Sequence, residues 1–126
     1  MRNTFKAYER LKREQHIDTL FRTGKAFSVF PIRFVYTTVA RSNELSPVRV
    51  GFSIPKKRFR SSVHRHRIRR LIAEAWRLQK HDLYAAIPAE KQLQVFLIFA
   101  DSTMPEFETI QKAVKEGIDK LVKLHA

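Results

Sequence analysis

The stretch that most narrows the possible folds is residues 93–100, LQVFLIFA. It is a near-continuous apolar run, far shorter than the roughly 20 residues a membrane-spanning helix needs. It lacks the apolar–polar alternation of a strand with one wet face, and it is rich in residues that favour strands. It therefore predicts an interior strand covered on both faces. The rest of the chain must supply the neighbours and the cover.

Two segments offer neighbours. Residues 27–40 alternate, with Ile32, Phe34, Tyr36 and Thr38 on one face and Arg33, Val35, Thr37 and Val39 on the other; the strand is expected to start after Pro31. Residues 48–54 form a second strand, with Val48, Val50, Phe52 and Ile54 facing one way, and Pro55 ends it. The short turn RSNELSP between these strands predicts an antiparallel hairpin.

Three helical stripes offer cover. Ile17, Leu20 and Phe21 mark a short helix over 13–23, with Gly24 suited to its C-cap. Over 62–80, Ile68, Leu71, Ile72, Ala75, Trp76 and Leu78 share one wide arc. A last helix is expected from Pro105 as its first residue, striped by Ile110, Ala113, Val114, Gly117, Ile118 and Leu121. Residues 82–92, around Pro88, read as irregular. No repeat, linker or low-complexity tract divides the 126 residues, so the expectation is one α+β domain over 1–126, with helices covering a small sheet.

Charge then points to function. Twenty-five Lys and Arg stand against twelve acids, a net +13. Residues 1–80 carry +15 and residues 81–126 carry −2. No acid lies between Glu44 and Glu74, a window holding nine basic side chains: Arg49, Lys56, Lys57, Arg58, Arg60, Arg65, Arg67, Arg69 and Arg70. Planar guanidinium forks donate two hydrogen bonds to a phosphate, and a helix fixes their spacing. The pattern implies a structured polyanion as partner. Solubility does not require acids to be absent over so long a stretch. A membrane-surface role would spend an apolar face that the sheet needs.

Other chemistries are opposed by the residues themselves. There is no cysteine, so no disulfide framework or thiolate metal site. His64 and His66, at i and i+2 on a helix, point about 200° apart and suit neither acid–base work on one phosphate nor a two-histidine metal site. The acids are scattered, with no carboxylate cluster for Mg²⁺. No helix-turn-helix, zinc-finger, RRM or KH pattern is present. The start of the chain, MRNTFKAYERLKRE, has no apolar stretch behind it, which gives a cytoplasmic expectation and no membrane partner. The residues alone thus stop at a binder of structured nucleic acid.

The run VGFSIPKKRFRSSVHRHRIRRLIAEAWR, residues 50–77, resembles the signature of the bacterial ribonuclease P protein subunit family, V-G-x-S-V-x-K-K followed by R-N-R-x-K-R-x-x-R-E. Val50, Gly51, Ser53, Lys56, Lys57, Arg65, Arg67, Arg70 and Glu74 match, and Arg69 stands where Lys is usual. Leu11, Lys12, Leu20, Phe21 and Gly24 match the family's opening segment. His66 replaces the usual Asn, Ala73 a frequent Arg, Pro55 a small polar residue and Ile17 an aromatic one. The resemblance implies a four-stranded sheet packed with helices, like the second domain of ribosomal protein S5, with a left-handed βαβ crossover. It implies an RNA-binding subunit that assists a catalytic RNA in cutting the 5′ leader from precursor tRNA, with Mg²⁺ held mainly by the RNA. It implies no catalytic residue on the protein and no obligate protein partner.

The site residues expected on these grounds are Lys56, Lys57, Arg58, Arg60, Arg65, His66, Arg67, Arg69, Arg70 and Arg77 for RNA, and Ile17, Phe21 and Tyr36 for a leader cleft, with Val35 taking the place of Tyr36 if the register differs by one. A ribosomal-type or other structural RNA-binding protein without a role in cleavage is the alternative.

Overall fold

The computed structural model describes residue 22 and residues 24–41 and 46–125. The apolar run takes the interior of a four-stranded sheet, as β4 (Lys91–Phe99), between β2 (Ile32–Ala40) and β3 (Val48–Ser53); β1 (Lys25–Val29) flanks β2, giving the order β1-β2-β4-β3. β2 pairs antiparallel with β1 on one side and with β4 on the other, and β3 runs parallel to β4. A parallel pair cannot be closed by a tight turn. The connection is made by α1 (Ser62–Gln79) and the short α2 (His81–Ala86), and α3 (Phe107–Leu124) follows β4.

The expected hairpin between β2 and β3 does not form. β4 inserts between them, Phe34 lying beside Leu97 and Val50 beside Val95. The physical reason is burial: the strand with most apolar surface gains most at the centre, with a neighbour on each edge. The segment 27–40 is also two strands rather than one. A turn at Phe30–Pro31, whose peptide bond is cis, folds β1 back on β2.

One sheet face carries the main core. Leu93, Val95, Leu97 and Phe99 of β4 meet Ile68, Ile72, Ala75 and Trp76 of α1 and the α3 stripe. Each large apolar side chain so buried contributes roughly 1.5–3 kcal/mol relative to exposure. All six expected α3 positions are buried. Gly117 is required where α3 crosses the sheet, since a Cβ there would lie 2.1 Å from Cζ of Phe34. β1 joins through Phe27, stacked on Phe34 at 5.0 Å between ring centroids.

The other face is thinner than the expectation of cover on both sides. There Val35 packs with the half-buried Phe96 and Ile98 as a separate small cluster. Three smaller expectations are corrected. Leu78 is exposed, because it sits roughly 100° round the helix from the centre of the buried face. Residues 81–86 are helical, held by the buried Leu83. The last helix begins at Phe107 with Glu106 as N-cap, so Pro105 precedes it. The expected helix over 13–23 lies outside the described residues.

Candidate nucleic-acid interface

Lys56–Arg60 form the connector from β3 into α1. Pro55 starts it, its carbonyl accepting from the backbone N–H of Arg58 at 3.1 Å and of Phe59 at 3.3 Å. Phe59 is buried and packs on Phe99 at 5.9 Å, pinning the loop to the core. Lys56, Lys57, Arg58 and Arg60 alternate around that anchor and are exposed. Arg58 Nη1 donates to Ser102 Oγ at 3.3 Å, tying the connector to the loop after β4.

Ser61 caps α1, its Oγ accepting from the His64 N–H at 3.5 Å. The first turn carries no acid to compete for an anion. With Ile68, Ile72, Ala75 and Trp76 fixed inward, helical geometry turns His66, Arg67 and Arg70 outward, and Arg69 lies on the flank toward the connector; all four are exposed. Lys56, Arg65, His66 and Arg69 line a concavity of about 200 Å³. Cations of two elements thus converge on one place.

The structure separates the expected arginines by what they already touch. Arg65 is half-buried, and its Nη1 donates to the carbonyls of Phe59 and Arg60, both at 2.8 Å. That arrangement braces the connector. Arg77 is engaged by Glu74, Nη2 to Oε1 at 2.6 Å and Nε to Oε2 at 3.1 Å. This hydrogen-bonded pair holds the Glu74 carboxyl below its ordinary value and raises Arg77 above its own. Arg67, Arg69 and Arg70 have no such partner among the described residues.

The aromatic positions divide differently. Ile17 and Phe21 lie outside the described residues. Tyr36 is half-buried on the helix-covered face, 5.8 Å from Phe27 and packed against the main core. Val35 occupies the opposite face, beside Phe96 in register. Arg49 is on that second face too, across from Gln94, and its Nε is buried with no hydrogen-bond partner. It counts among the nine cations of the acid-free window but lies outside the set of expected site residues. The signal was present in the alternation of β3, which turns Arg49 away from Val48 and Val50. Among the described residues no three His, Asp or Glu side chains gather at metal-binding distance, and no helix is long and apolar enough to cross a membrane.

A small α+β domain with a braced basic loop and outward arginines on one rigid helix belongs to the class of docking modules for structured nucleic acid. Comparison narrows the class. The sequence model of the family described as Ribonuclease P matches residues 5–122. The chain is similar to the ribonuclease P protein component of Porphyromonas gingivalis, with 35% identity over 116 residues, 90% of this chain and 82% of that one. It is similar to the corresponding component of Chlorobium phaeobacteroides, with 30% identity over 122 residues, 89% and 84% of the two chains. The fold is that of the Staphylococcus aureus RNase P protein, with a TM-score of 0.70 at 20% identity over 96% of this chain and all of that one. The Thermotoga maritima RNase P protein follows at 0.67 and 19%, over 89% and 96%. The chain belongs to the ribonuclease P protein family.

Proposed function

We propose that this chain is the RNA-binding subunit of a ribonuclease P holoenzyme, docking through Lys56–Arg60 and the exposed arginines of α1 on the catalytic RNA and assisting removal of the 5′ leader from precursor tRNA. The observation that carries this is the convergence of connector and helix cations, Lys56 with Arg65 and Arg69, on one surface without an acid. Family membership supplies the reaction, that of a tRNA 5′-end endoribonuclease.

Within that reading the residues take distinct parts. Arg67, Arg69 and Arg70, with Lys56 and Lys57, bind RNA phosphates. Arg65 sets the connector's shape. The second sheet face, with Val35, Phe96 and Arg49, meets the single-stranded leader, where an apolar platform beside a cation suits unstacked nucleotides. Val35 is favoured over Tyr36 for that part, because Tyr36 is turned toward the helices. Hydrolysis belongs to the RNA and its Mg²⁺, and the protein works in the cytoplasm beside its substrate.

The test is reconstitution. The protein mixed with a bacterial ribonuclease P RNA at low Mg²⁺ is expected to activate cleavage of a precursor tRNA at the mature 5′ end, with neither part active alone under those conditions. No activation, together with tight binding to another structured RNA, would assign the arginine surface to a different complex.

A further inference from the structure

On the far edge of the sheet from β3, a groove of about 460 Å³ runs between the end of β1 and α3. Ser28, Val29 and Phe30 form one wall, and Thr109, Lys112, Glu116 and Lys120 stand on the other. These helix residues recur at helical spacing and so make one line along α3.

Three observations set the groove apart. Phe30 is 73% exposed, the one exposed Phe, Tyr or Trp among the described residues. Lys120 reaches toward the sheet, its Nζ 5.3 Å from the centroid of the Phe27 ring. Lys112 is exposed and has no ion pair among the described residues, whereas Lys115, outside the groove, pairs with Asp119 at 3.6 Å. Two cations against the single carboxylate of Glu116 leave the groove positive.

Its place in the fold also matters. Ile32, next after the Phe30–Pro31 turn, pairs with Phe99, and Ser53, just before the connector, pairs with Ile98. The turn and the basic connector therefore lie at the same end of the sheet. Three strand spacings separate their strands, roughly 14 Å, a span that a few nucleotides of extended chain can cross.

We propose that Phe30, Lys112 and Lys120 form a second, single-stranded RNA subsite, with one unpaired base stacked on the Phe30 ring and its flanking phosphates on the two lysines. An open phenyl ring stacks on any base, and adjacent ammonium groups neutralise the backbone, the combination sequence-tolerant single-strand binders use. An added peptide strand fits less well. β1 is an edge strand of only five residues, and charged side chains beside such an edge discourage pairing. The subsite extends the proposed RNA surface of connector and α1 without depending on which RNA occupies it.

The probe is a short oligouridine. Phe30→Trp places a reporter at the groove, while the native Trp76 stays buried. Oligouridine is expected to quench the new fluorophore saturably, and Lys112→Ala with Lys120→Ala should abolish the response. Phe30→Ala should weaken oligouridine binding at least about fivefold, the lower end for one stacked base. The quench should survive in protein carrying Arg67→Ala, Arg69→Ala and Arg70→Ala. A fluorophore that does not respond at saturation, or responds equally without the two lysines, would overturn the subsite. So would loss of the quench in the triple-arginine background, and that result would leave the arginine surface standing as the RNA contact.

Discussion

α1 and α3 solve the same packing problem and use their outer faces differently. Each has 18 residues, and each buries one stripe on the same sheet face. Yet α1 carries five arginines against one glutamate, whereas α3 carries four lysines against three acids. Charges on α3 interleave and in part pair, as with Lys115 and Asp119. Those on α1 are mostly of one sign and crowd its N-terminal half. A helix held only by its core contacts gains from mixed surface charge. One that concentrates guanidinium groups accepts self-repulsion, and a polyanion relieves it. The buried halves specify the fold, and under the proposed function the exposed arginines of α1 meet the partner.

The sharpest check on that division is stability. If both inner faces do the same job, Ile72→Ala and Leu121→Ala should cost alike, about 2–5 kcal/mol each, with loss of a fully buried aliphatic side chain in both cases. Denaturant titration reads this directly. A cost confined to one helix would show that the two do not share one core.

The outer faces should behave oppositely. Arg67→Ala, Arg69→Ala and Arg70→Ala together are expected to weaken binding to ribonuclease P RNA about 100-fold near physiological salt and to lower the salt slope by two to three, at roughly 0.7–0.9 per phosphate contact. Lys115→Ala with Lys123→Ala, which removes two cations from α3, should leave both quantities nearly unchanged. Equal losses would mean that net charge, and not placement, drives binding. Filter binding across a salt series separates the outcomes.

Within α1 the comparison becomes finer. Arg65 is turned to the carbonyls of Phe59 and Arg60, while Arg69 is exposed. Arg69→Ala should lower the slope by about one contact. Arg65→Ala is expected to loosen Lys56–Arg60, so amide hydrogen exchange should rise in that connector. Unaltered exchange there would return Arg65 to the set of direct phosphate ligands.

Much of this was legible in the residues. The apolar run gave β4 its central place, and the 3.6-residue stripe of α3 came through complete, because periodicity reports burial directly. Partner choice among strands did not. Nothing local in 32–40 or 48–54 tells them that a strand from residues 91–99 will come between them, since pairing is decided by total burial across the sheet. The β1–β2 turn was hidden for a related reason: Pro31 marks a strand's start, but not that the chain has just reversed. For the site, residue type identified the cations, whereas their present partners depend on rotamers. That is why Arg65 and Arg77 looked equivalent to Arg69 and Arg70. One residue of register decided between Tyr36 and Val35, and only the pairing of Val35 with Phe96 places it on the second face.

The smallest effect probes Arg77. Glu74 holds it in a two-point contact on the exposed side of α1. Glu74→Gln takes away the carboxylate charge, so Arg77 should add to the RNA surface, with a steeper salt slope by at most about one contact. An exposed pair of this kind contributes little to stability, so folding should hardly change. The pH dependence follows from the direction of the shift. The Glu74 carboxyl lies below its ordinary value when folded. Its contribution is therefore complete above the unfolded value and is lost only as pH falls through the lowered folded value. Through the neutral range, wild type should keep Arg77 neutralised and bind slightly more weakly than Glu74→Gln. In acid below that folded value the two proteins should converge. A Gln variant that binds no better at neutral pH would place Arg77 beyond the reach of the RNA and end the phosphate-binding surface at Arg70.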